Sequence, residues 1–128
     1  MVGNLPERGL AMVAEARTLP TIDLMKIRTD MGLSREKMAR IVDVSSKTIE
    51  RWEKGETFPT SRRVNQLYAG MHDICELGLM VYKPEGLKLF LRSNLPDFEG
   101  QTAFDMLELG DTQSVIGALA TDYEGLGF

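Results

Sequence analysis

The sequence predicts an all-α protein: an N-terminal helical bundle followed by a smaller C-terminal helical unit. Three observations point that way. Apolar residues recur at three- and four-residue spacing through most of the chain. Residues suited to capping a helix precede these runs, and glycine or proline follows them. No segment alternates apolar and polar residues as a half-buried strand does, and no repeat or low-complexity tract interrupts the pattern.

The elements follow in order. In residues 1–20, Leu10, Val13 and Ala14 line one face of a short predicted helix that stops before Pro20. Asp23 caps a helix to about Met31, with Leu24, Ile27 and Met31 on one face and Gly32 as its stop. Ser34 caps the next, with Met38, Ala39, Ile41 and Val42 apolar. Ser45 caps a third, with Ile49 and Trp52 inward and Gly55 at its end. After Phe58-Pro59-Thr60, the run Val64, Leu67, Tyr68, Met71, Ile74, Cys75, Leu77 keeps a helical period to Gly78.

Pro84 and Gly86 mark a junction. Leu87, Leu89, Phe90 and Leu91 predict a short helix, and SNLPDFEG over 93–100 predicts a loop. Thr102 and Asp105 have the spacing of a capping box before a helix carrying Phe104, Leu107 and Leu109 and stopping at Gly110. Asp111 or Thr112 caps a last helix with Val115, Ile116 and Leu119. A tail follows from Tyr123. The expected division is an N-terminal segment 1–20, a bundle 21–82 and a C-terminal unit 83–128.

Composition narrows the function. With 43% hydrophobic residues the chain can build a core, so wholesale disorder is excluded. A single cysteine, Cys75, rules out an intrachain disulfide and suits a reducing, cytoplasmic setting. No apolar run is long enough to span a bilayer, and the start lacks the basic-then-apolar pattern of a signal peptide, so no membrane partner is expected. The net charge of −4 is unevenly spread. Residues 1–70 hold 12 Lys/Arg against 9 Asp/Glu, a net +3; residues 71–128 hold 3 against 10, a net −7. Two surfaces with different partners follow from that split.

The stretch Ser34–Gly55 carries the sharpest signal. Two short helices are separated by only Asp43-Val44-Ser45, too little chain for an ordinary side-by-side hairpin. Set at an angle, the first braces the second, and the second projects far enough for polar side chains to reach base edges in a major groove. That geometry asks for a small residue at the crossing, Ala39, and for apolar anchors, Ile49 and Trp52. It asks for polar residues between, which Ser46, Lys47, Thr48, Glu50 and Arg51 supply.

Ala39, Val44-Ser45, Ile49, Trp52-Glu53-Lys54-Gly55 and Pro59 together resemble the phage-repressor-type (Xre-like) helix-turn-helix. The resemblance spans roughly 22–78. Asp43 stands where that family has glycine, and aspartate tolerates left-handed backbone better than most residues. The resemblance implies double-stranded operator contacts at Ser45, Ser46, Lys47, Thr48 and Arg51. Arg35 would meet phosphate or a base edge, and Lys54, Arg62 and Arg63 would neutralise flanking phosphates.

Residues 84–128 resemble the C-terminal domain of Xre/ParS-type antitoxins that pair with RES-domain toxins. The matching residues are Leu95-Pro96, Gly100, Thr102, Met106-Leu107, Gly110, Val115 and Gly127-Phe128. Ala103 stands where proline is common, and the usual aromatic is displaced to Phe90. The resemblance implies an antitoxin that inhibits a NAD-consuming toxin and represses its own operon. Its last residues, Tyr123, Glu124, Leu126 and Phe128, would meet the toxin, in a hetero-oligomer or as a homodimer. The alternative is a plain dimeric repressor whose C-terminal half only dimerises. A catalytic reading has only His72 and Cys75, at i, i+3, to stand on. Further metal ligands are lacking, and Cys75 falls on the apolar period. Neither an enzyme, a metal nor a cofactor is expected.

Overall fold

The computed structural model describes residues 22–125. The predicted helix around Leu10, Val13 and Ala14 lies outside them, as do Leu126 and Phe128. Among the described residues there are seven α-helices, one 3-10 turn and no strand. The helices are α1 (Leu24–Met31), α2 (Arg35–Val42), α3 (Ser46–Glu53), α4 (Arg62–Val81), α5 (Pro84–Arg92), α6 (Ala103–Glu108) and α7 (Thr112–Glu124). The 3-10 turn, Pro96–Phe98, lies between α5 and α6.

Side-chain caps fix the starts. Asp23, Ser34 and Ser45 each accept a hydrogen bond from the backbone N–H three residues on, at 3.1 Å, opening α1, α2 and α3. Thr102 and Asp105 form the predicted reciprocal box on α6, at 3.1 and 3.0 Å. Asp111 rather than Thr112 caps α7. Ser61 also caps, accepting from the Val64 N–H at 3.3 Å to open α4.

Several expectations need correction. α4 does not stop at Gly78 but runs on to Val81. Glycine inside a helix costs about 1 kcal/mol relative to alanine. Here its bare backbone seats the fully buried Leu87, whose Cδ1 would lie 2.5 Å from an added Cβ. The stop falls instead at Tyr82 and Lys83, both extended, because Pro84 disfavours helical backbone before it. The loop 93–100 contains the 3-10 turn, which buries Phe98. Leu109 is 73% exposed and does not join the core. Tyr123 and Glu124 are not tail but the last turn of α7.

The long α4 is the central strut. α7 packs along it, with Thr112 against Gly70 near one end and Tyr82 hydrogen-bonded to Asp122 near the other. α1 and α5 also pack on α4, and α6 packs on α2. Buried residues from both sides of the Tyr82–Lys83 break form one continuous core, including Ile41, Ile49 and Met71 before it and Leu87, Leu107 and Leu119 after it. The described helices before and after the break therefore pack as one core, against which α2 and α3 are held.

Candidate nucleic-acid interface

α2 and α3 meet at a three-residue turn. Asp43 takes the left-handed conformation, φ 63°, where the resembled family has glycine. The Val44 N–H closes the turn on the Ala39 carbonyl at 3.0 Å. Ala39 is buried and Ile49 fully so, which anchors α3 and turns its polar side outward.

Glu53, on the inner side of α3, holds that helix in place. Arg28 of α1 grips it with two hydrogen bonds, Nε to Oε2 at 2.6 Å and Nη2 to Oε1 at 3.0 Å, and Arg35 adds a third at 3.1 Å. The Glu53 side chain is 1% exposed. Burial pushes its carboxyl up, but the hydrogen bonds from the two arginines outweigh that and hold it below its ordinary value. Arg28 also donates to the Leu33 carbonyl at 3.0 Å. Three elements are thereby locked by one carboxylate. The sequence reading missed this role. Glu53 was visible in the Trp-Glu-x-Gly ending, but its partners stand 25 and 18 residues away, beyond the reach of helical periodicity.

The nine residues expected to meet DNA separate into groups. Lys47 and Arg51 stand exposed on the outward side of α3, and Arg62 is exposed at the start of α4. Ser46 is half-buried beside them. Ser45 and Thr48 are committed to the cap: their hydroxyls are 2.9 Å apart and Ser45 accepts from the Thr48 N–H. Lys54 pairs with Glu50 at 2.7 Å, while Lys47 lies 3.5 Å from the same carboxylate. Arg35 is drawn to Glu53. Arg63 donates to the Val42 carbonyl at 3.2 Å, tying α4 to the end of α2.

Trp52 packs inward against the core as expected but is not fully enclosed. It is half-buried and stands edge-on to Tyr68, with ring centroids 6.2 Å apart. Together with Leu24, Phe58 and Pro59 it lines a cleft of about 480 Å³ between α1, α3 and α4. The helix is too short, and its end too near the surface, for Trp52 to be covered as Ile49 is.

On α4, Cys75 is buried, and burial pushes its thiol up to about 12, so almost no thiolate is present at neutral pH. Its Sγ faces the Ile27 carbonyl at 3.9 Å. Among the described residues, no three His, Cys, Asp or Glu side chains gather where they could hold a metal ion. Nor is any described helix long and apolar enough to cross a membrane. Of the residues expected to meet a toxin, Tyr123 is half-buried and Glu124 exposed on the last turn of α7.

No curated protein matches the chain by sequence. A solved structure is similar: a chain of the crystal structure of the M. tuberculosis MbcT–MbcA toxin–antitoxin complex. The two share 20% identity and a TM-score of 0.66 over 83% of this chain and 95% of that one. The helix-turn-helix family matches residues 24–67, which run from the start of α1 into α4 and enclose the angled pair and the Glu53 lock. Residues 24–67 therefore form a helix-turn-helix domain, with α3 as its outward helix.

Proposed function

We propose that this protein is the antitoxin of a toxin–antitoxin pair: it binds operator DNA through α3 and a toxin through its C-terminal half, and is a binding module rather than an enzyme. The observation that carries the reading is the extent of the structural likeness. The helix-turn-helix family accounts for residues 24–67 only, whereas the likeness to a chain of a toxin–antitoxin complex extends over 83% of this chain. The resemblance of residues 84–128 to antitoxins of RES-domain toxins supports a NAD-consuming toxin as the partner. A DNA-reading helix joined to a toxin-binding half supports repression of its own operon.

Two experiments test this. Co-expression with a RES-domain toxin should restore growth and cellular NAD, and the two proteins should purify together. In gel shifts on the DNA upstream of its own gene, Lys47→Ala or Arg51→Ala should each cost about 1–3 kcal/mol if that residue contacts a base. Arg62→Ala should weaken all sequences alike and reduce the salt slope by about one unit. Wild-type affinity in both α3 variants would remove α3 from the groove. One feature favours a second reading, a plain dimeric repressor: Met80, Leu89 and Leu109 are all more than half exposed, and apolar surface of that kind suits a second copy. Full repression without any toxin interaction would support it.

A further inference from the structure

The acid on the outward helix is unexplained by phosphate attraction. Glu50 lies between Lys47, at 3.5 Å, and Lys54, at 2.7 Å, on the polar side of α3. Its side chain is 26% exposed, and the two lysines that flank it are more than half exposed. A carboxylate here subtracts from the pull of both lysines on any phosphate. It repels the backbone of every duplex equally. It is also an acceptor only, with no hydrogen to give. The one attraction the major groove offers such a group is an exocyclic amine, and cytosine N4–H₂ is the donor that glutamate matches best.

We infer that Glu50 is a specificity-determining residue of α3, accepting a hydrogen bond from a cytosine amine in the operator and disfavouring sequences that present only acceptors there. This rests on the reading of α3 as the helix in the groove. In the free protein the lysines satisfy the carboxylate. On DNA, Lys47 and Lys54 turn toward phosphate or guanine, and Glu50 is left to be paired by a base or to remain unpaired beside the groove. An unpaired charge at the interface is the repulsive half of specificity. The hydrogen bond from Lys54 and the charge of Lys47 hold the carboxyl below its ordinary value, so the acceptor form is present at neutral pH.

The test is selection of sites from a random duplex pool with the wild-type protein, Glu50→Ala and Glu50→Gln. Glu50→Gln keeps the shape of the side chain, and a thermal melt checks the fold of each. Wild type should enrich cytosine at one position of each half-site. Glu50→Ala should lose that preference by at least about fivefold, keep the other positions, and bind non-specific duplex more tightly. Glu50→Gln, which can both donate and accept, should move the preference toward adenine. Unchanged preference in both variants overturns the inference while leaving α3 in the groove. A wild-type protein that enriches no sequence instead overturns the DNA-binding reading beneath it.

Discussion

Arg28 and Glu53, 25 residues apart in sequence, meet in a two-pronged ion pair of 2.6 and 3.0 Å beneath the outward helix. Because the arginines hold the Glu53 carboxyl below its ordinary value, the pair has a defined pH dependence. A carboxylate with a lowered folded pKa contributes stability that is complete above its unfolded value. That contribution is lost as pH falls through the folded value. Glu53→Gln should therefore destabilise the protein by about 3 kcal/mol at pH 7, since it leaves Arg28 with a neutral partner in a largely buried site. The gap from wild type should narrow in acid, from about pH 4.5 downward. Thermal melts across that range decide it. A gap independent of pH would mean that Glu53 acts by packing, not by charge.

Trp52→Ala should cost about 2–3 kcal/mol, less than the roughly 3–5 kcal/mol of a fully buried aromatic. Part of the ring borders solvent and the cleft, while the rest packs against the core and edge-on to Tyr68. Trp52→Phe should recover much of the loss. Helical signal followed by circular dichroism gives the midpoint without relying on the missing tryptophan. Complete unfolding at 25 °C would restore Trp52 to the core.

The caps and stops of the first three helices were legible because they depend on neighbours in sequence. Asp23, Ser34 and Ser45 each bond to an N–H three residues away. What escaped the sequence depends on residues that meet only in the fold. Gly78 looks like a terminator until Leu87 is known to press on it. Leu109, two residues after Leu107, lies off the stripe of Phe104 and Leu107, stands at the C-cap of α6 and faces outward. Likewise, Lys47 and Arg51 were visible as a polar face. The hydrogen bonds that Arg35, Arg63, Ser45 and Thr48 make to Glu53, to the Val42 carbonyl and within the α3 cap were not, since the first two join residues far apart in sequence.

Gly78→Ala tests the seat of α5. In an exposed helix alanine would stabilise by about 1 kcal/mol. Here the new methyl would sit 2.5 Å from Leu87 Cδ1, with Cδ2 and Cγ at 3.2 and 3.4 Å, so the fully buried Leu87 side chain must shift within the core. Overpacking of this kind costs about 1–3 kcal/mol, so the net effect should be destabilising. Gly78→Ala combined with Leu87→Ala should be less than additive, because the second change removes the clash. Additive losses in a denaturant titration would place the two residues out of contact.

The end of α7 separates a structural role from a binding role. Tyr82 donates to Asp122 at 2.6 Å while its ring packs on Phe90, with centroids 5.6 Å apart, so Asp122 fastens α7 to the junction of α4 and α5. Deleting residues 121–128 removes that fastening and should cost about 1.5–3 kcal/mol, the worth of a hydrogen bond to a charged group. Deleting only 125–128 keeps Asp122 and should leave the melting temperature and operator binding unchanged. It takes away Leu126 and Phe128, which in a toxin's cleft would each contribute roughly 1.5–3 kcal/mol before ordering costs. The shorter deletion should therefore fold, bind DNA and yet fail to protect cells from the co-expressed toxin. Full protection would move inhibition into the body of the C-terminal half, onto surfaces such as the exposed Leu89 and Leu109. Loss of operator binding by the shorter deletion would instead make residues 125–128 part of a dimer contact, and the plain repressor would become the better account.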